Sequence, residues 1–397
     1  FGVTSGSASL LETYRIMQGA DAPTRDEKIV VGIDASGNTS LLRWNGTSWT
    51  GIQIAGTVSE TYWYGADVAY EQLSGDAIVV WNDGSQLQYA VWDGTSWSAP
   101  QSIGAYTGAE PQNLRLAFDP GSDSMVLVVD DINADDYALV WDGDSWGNAI
   151  TLDTTGTLES DQSAIAVSFE AQSGNAMVSY GINGSADVYY RIWDGSSWSA
   201  QSSVTAPAGV VTGDAAWLAT ATDYTSDRIA LAAMSTAGEI WLSVWDGASW
   251  SAPQSIGAYT GAEPQNLRLA FDPGSDSMVL VVDDVNADDY ALVWDGDNWG
   301  NAITLDTTGT AESDQSAIAV SFEAQSGHAL VTYGINGSTD VYYRIWDGSS
   351  WSAQSSVTAP VDVTGDAAWL ATATDYTSDR IALAAMSTAG EIWLSVW

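Results

Sequence analysis

A chain of 397 residues, 45% of them apolar, is long enough to bury a large core. Its 51 acidic side chains face 10 basic ones, Lys28 being the sole lysine. The resulting net charge of −41 excludes nucleic acid and anionic membrane surfaces as partners through long-range repulsion. Cysteine is absent, which removes disulfides and thiol chemistry, and no run of 18 apolar residues could span a bilayer.

In chain order, an alternating segment at Leu10–Met17 precedes the first of a series of Trp-Asp-Gly-x-x-Trp hairpins. They stand at Trp44–Trp49 (with Asn45 for Asp), Trp92–Trp97, Trp141–Trp146, Trp193–Trp198, Trp245–Trp250, Trp294–Trp299 and Trp346–Trp351. Trp397 begins an eighth. Successive first tryptophans lie 48, 49, 52, 52, 49, 52 and 51 residues apart, the mark of supersecondary units that bury their faces on one another.

Within one unit, Leu114–Phe118 alternates, 119–123 turns, Met125–Val129 is an apolar run, 130–136 loops, and Tyr137–Trp141 alternates again. A further turn at Asp142 and Gly143 leads into Ser145–Leu152. These are strand and turn signals, so each unit reads as a four-stranded antiparallel meander, labelled A to D. Asp-Gly favours a type I′ turn, which would pair Trp92 with Thr95 and set Trp92 and Trp97 diagonally on one face. The indoles then serve as packing plates between sheets. Residues 92–244 and 245–397 are a near-identical tandem copy of three units. Near-identical surfaces repeated around a molecule suit repeated binding or assembly contacts better than one asymmetric active centre.

Small sheets with one sticky face close most economically into a ring, which predicts an all-β fold: a single eight-bladed β-propeller over 1–397, its four-stranded blades about 50 residues each. The hairpins give the chain a resemblance to bacterial β-propeller repeat proteins, in the neighbourhood of tectonin-like and fucose-lectin-like propellers. It is more distantly similar to Asp-box propellers, in which Asp does not directly precede Gly. The lectin resemblance implies a sugar pocket between successive blades, although no Arg or His recurs here in every blade.

The predicted strands comprise eight A, eight B, eight C and seven D. The open edge of the last C strand, 391–397 with Trp393 and Trp397, is expected to pair with a strand from Phe1 and Val3 of the same ring, or of a neighbour, which would polymerise the protein. A sequence cut from a longer chain is the other reading. It starts at Phe1 with no basic-then-apolar leader.

Chemistry is sparse. The one histidine, His328, falls in an A–B turn where its repeat counterpart is Asn175, so His-based nucleophilic catalysis and His-bearing zinc sites are not expected. The nine arginines are scattered, unlike a cluster built to hold a sugar carboxylate. Two loops concentrate hard oxygens, Asp130, Asp131, Asp135 and Asp136, and their copies Asp283, Asp284, Asp288 and Asp289; calcium is one reading and a solvated acidic loop the other. Asn38, Asn45, Asn183 and Asn336 lie in glycosylation sequons. The sequence therefore points to an extracellular or cell-surface structural or adhesive scaffold, not an enzyme, without cofactor unless calcium binds. It would self-associate or meet a surface partner, as part of a repetitive assembly or filament. A multivalent glycan-binding lectin is the alternative, and a carbohydrate-active hydrolase the second.

Overall fold

The computed structural model describes residues 14–34, 37–57, 65–155, 164–258, 266–283, 288–296, 298–307, 317–375 and 378–397. Among them, 31 strands and no helix build eight antiparallel sheets arranged as an eight-bladed propeller. Seven sheets have four strands in sequence order; blade 8, made of Ala367–Thr374, Ile381–Ser387 and Ile392–Val396, has three among the described residues. Phe1 and Val3, the expected closing strand, lie outside the described residues.

The ring closes through its inner strands. Each A strand lies beside the A strand of the next blade, and that of blade 8 lies beside Tyr14–Asp21 of blade 1. Here Trp369 Nε1 donates to Met17 O at 3.1 Å, and Arg380 meets Asp26 at 2.7 Å. All eight A strands line one central channel of about 390 Å³.

Position in the blade explains the residue pattern. A B strand has neighbours on both faces, so it reads as an unbroken apolar run, as in Ile229–Ser235, where every residue is buried. A D strand such as Trp146–Asp153 forms the rim and is half-exposed. Seams between blades are built from aliphatic rows: Val126, Val128, Ala138 and Val140 of blade 3 meet Ala176, Val178, Tyr180 and Trp193 of blade 4. The three-unit copy reproduces that seam between blades 6 and 7.

The hairpins depart from the expected type I′ turn. Trp92 pairs directly with Trp97, and Trp141 with Trp146, leaving four residues in the loop. The reason is the aspartate. Asp93 Oδ1 accepts the N–H groups of Thr95 and Ser96, each at 2.7 Å, and wraps the loop around its own carboxylate. Only Gly94, at φ 85°, then needs the left-handed region. The two indoles of each hairpin sit opposite one another, their centroids 5.4 to 5.6 Å apart. The first is buried at Trp44, Trp92, Trp141, Trp193, Trp245 and Trp346 and half-buried at Trp294. The second is half-buried at Trp49, Trp97, Trp146, Trp198, Trp250, Trp299 and Trp351.

Candidate functional site

At the hairpin end the seams are locked by carboxylates that sequence reasoning passed over. A glutamate that ends the A strand reaches the first indole of the following blade: Glu71 to Trp141 at 2.6 Å, Glu170 to Trp245 at 2.5 Å, and Glu323 to Trp397 at 2.8 Å. In the first seam Glu27, ahead of the B strand, accepts from Trp92 at 3.0 Å and from Arg25, Arg43 and Tyr70. Aspartate is one methylene shorter. Asp119 and Asp272 turn back onto their own loops, bonding Ser122 and Ser275. A second latch runs between neighbouring turns: Asp123, Asp227 and Asp379 each accept two backbone N–H groups from the preceding blade at 2.7 to 3.0 Å. These groups are occupied in holding the ring.

The central channel offers little recognition chemistry. Its wall is mostly Ala, Val, Phe, Ser and Thr, with Asp21 and Asp67 as the charged groups. Lys28 pairs with Asp21. Asp67 accepts Leu116 N across the seam at 2.8 Å, and burial pushes its carboxyl up to about 6.

The seams between blades 3 and 4 and between blades 6 and 7 differ from the rest. Two residues before the first tryptophan, six of the eight blades carry Leu42, Ala90, Leu139, Ser243, Leu292 or Ser395; blades 4 and 7 carry Arg191 and Arg344. Arg25, Lys28, Arg43, Arg228 and Arg380 each meet a carboxylate. Among the described residues, Arg191 and Arg344 have no such partner within ion-pair distance. Arg191 Nη1 donates to Ser199 O at 2.8 Å, and its Nε is buried without a partner. Arg344 does the same with Ser352 O at 2.9 Å. Alternation along the strand puts Tyr189, Arg191 and Trp193 on the face toward blade 3. Half-buried Tyr189 and Trp198 pack in the same seam, and Tyr189 stacks at 6.2 Å on Tyr180, the phenol beside Arg191. The rim is fixed by a bulge in the preceding blade: Asn148, at φ 47°, turns its carbonyl to Trp198 Nε1 at 2.7 Å. Asn301 does so for Trp351 at 2.8 Å.

The same seams contain part of the proposed calcium loops. In blade 3, Asn113, Asp130, Asp136 and Asp153 are successive cross-strand partners and form a row across the sheet. Asn266, Asp283, Asp289 and Asp306 repeat it in blade 6. Burial, with the neighbouring carboxylates, raises Asp130 to about 7 and Asp136 well above the carboxylate range. Asp131 is separated from the row, because its oxygens hold Asn133 N, Asp135 N and Ala109 N. Asp135 lies in the loop, and Asp288 meets the Tyr290 hydroxyl at 3.5 Å. Asp284 lies outside the described residues. Among the described residues, no three His, Cys, Asp or Glu side chains converge as metal ligands.

The remaining candidates are placed as follows. Trp393 is buried in the seam between blades 7 and 8, and Trp397 packs edge-on against Tyr343 at 5.0 Å in that seam. His328 sits in the A–B turn of blade 7, 3.4 Å from Glu323. Asn45, Asn183 and Asn336 are exposed, whereas Asn38 is half-buried and gives its amide to Asp34 at 2.8 Å.

Comparison with solved structures places the chain in the class of β-propellers. The BP39L lectin from Burkholderia pseudomallei aligns with a TM-score of 0.62 at 12% identity, over 88% of this chain and 100% of that one. Saccharomyces cerevisiae Sqt1 aligns at 0.59 and 11% identity, over 98% and 99%. A fucose-specific lectin from Aleuria aurantia aligns at 0.49 and 15% identity, over 90% and 100%. No protein-family model and no curated relative matches the sequence.

Proposed function

We propose that the protein is a multivalent glycan-binding propeller, with two equivalent sugar sites in the rim clefts between blades 3 and 4 and between blades 6 and 7. One observation carries this: an arginine without an acidic partner, in a chain with five acids per base, shares a seam with half-buried aromatic side chains at two copied positions. A guanidinium donates to paired sugar oxygens, and an indole or phenol face covers the apolar side of a pyranose ring. The likeness of the ring to a lectin supports this reading over the structural scaffold.

A glycan array probed with the purified chain, followed by titration of the best binder, tests it. Retention of a glycan at two sites, lost by more than tenfold in the double variant Arg191→Ala/Arg344→Ala, is the expected result. Binding that the double variant leaves intact would remove the two clefts from the proposal, and a chain that retains no glycan would end it. Cleavage of the bound sugar would move the reading to a hydrolase.

The adhesive scaffold stands second, favoured by the near-identical surfaces that the tandem three-unit copy repeats around the ring. Ordered particles in electron micrographs of the sugar-free protein would support it. An extracellular or cell-surface location goes with either reading.

A further inference from the structure

We propose that Asn45 is a self-modifying position: its side-chain amide is lost spontaneously, turning the one Asn-Gly hairpin into the Asp-Gly hairpin that the other six carry. The sequence contains three Asn-Gly pairs, Asn45-Gly46, Asn183-Gly184 and Asn336-Gly337, and all three asparagines are exposed. Their surroundings differ in two ways that matter for the reaction.

The first difference is the nucleophile. Deamidation begins when the backbone nitrogen after the asparagine gives its proton to solvent and attacks the side-chain carbon. The Gly184 amide is committed to Asp214 Oδ2 at 2.7 Å, and the Gly337 amide to Asp366 Oδ2 at 2.8 Å. A carboxylate accepting that N–H opposes its deprotonation and holds it away from the asparagine. The Gly46 amide makes no hydrogen bond among the described residues.

The second difference is the electrophile. Asn45 Oδ1 accepts Thr47 N at 3.1 Å, Ser48 N at 2.9 Å and Thr47 Oγ1 at 2.9 Å. These donors surround the oxygen on which negative charge develops as the carbon becomes tetrahedral, the arrangement of an oxyanion hole. A loop that wraps around an aspartate in the other six hairpins therefore polarises the amide in this one. Gly46, at φ 89°, adds no side chain over the approaching nitrogen.

The step balances without an oxidant or cofactor. The Gly46 nitrogen bonds to Asn45 Cγ, the bond from Cγ to Nδ2 breaks, and ammonia leaves with the proton it needs. One water molecule then opens the cyclic imide at either carbonyl, giving aspartate or isoaspartate and one more negative charge. The aspartate product retains the same hydrogen bonds that Asp93 makes in its hairpin.

Peptide mapping of the full chain held at neutral pH tests this, with short peptides spanning each pair as the reference. A gain of one mass unit at Asn45, ahead of any at Asn183 or Asn336, is expected, while the three peptides react at similar rates. Reaction at Asn45 no faster than at the other two positions in the folded chain would overturn the proposal. The readout needs no sugar, so it stands or falls separately from glycan binding.

Discussion

One methylene decides whether an acid at the end of an A strand locks its own turn alone or the next blade as well. Glu71 holds Ser74 of its own turn and is long enough to reach Trp141, which is buried, while Asp119 in the neighbouring blade bonds its own Ser122 and stops there. Glu71→Asp should therefore strand the Trp141 N–H inside the seam, and a buried donor without a partner costs about 1–3 kcal/mol. Glu71→Gln keeps an acceptor at full length and should cost less. Urea unfolding followed by tryptophan fluorescence separates them; equal losses would mean that charge, not reach, is what the seam needs. The tryptophans were legible because a doubled indole in a tight hairpin has to bury its area somewhere. Their acceptors were not, since Glu71 and Trp141 stand 70 residues apart and only the ring brings them together. A Glu in place of the repeat's Asp was the available signal.

At the level of strands, alternation and turn residues fixed the four-stranded unit, yet two features needed coordinates. The loop of each hairpin follows a side-chain hydrogen bond that Asp-Gly alone does not specify, so the pairing of Trp92 moved from Thr95 to Trp97. The acidic residues read as one loop divide by strand alternation into a turn-former, Asp131, and a seam row, Asp130 with Asp136. Like charges directly opposite on neighbouring strands destabilise a sheet unless protons are shared. Asn113 and Asp153 flank the pair on its own sheet, Asp131 and Asp135 stand nearby in the loop, and Tyr180 faces it from blade 4 with Arg191 beside it. Because folding raises these carboxyls, their stabilising contribution is complete below the unfolded value of about 4 and is lost as pH rises through about 7. The melting temperature should accordingly fall between pH 5 and pH 8, and Asp136→Asn should flatten that slope and raise the melting point at the alkaline end. A variant with the wild-type slope would show that the row carries no proton at neutral pH.

Across the whole molecule, the period of the hairpins announced eight blades, and the tandem copy announced that any special seam would occur twice. What remained hidden was how each turn is tied to the next blade. Among the described residues, four turns are latched to a neighbouring blade by a carboxylate that accepts two backbone N–H groups or by an arginine. Between blades 8 and 1 the latch is the ion pair of Arg380 with Asp26, both over a third exposed, and such a pair is worth about 0–1 kcal/mol. The buried hydrogen bond from Trp369 to Met17 O adds a second polar tie across that seam. A seam that loses a buried hydrogen bond opens more readily than its neighbours under native conditions. Trp369→Phe should therefore speed amide exchange in Tyr14–Asp21, Ala367–Thr374 and their partner strands, leaving the seam between blades 3 and 4 protected. Arg380→Ala should change little. Exchange accelerated evenly around the ring would mean that all eight blades open as one unit.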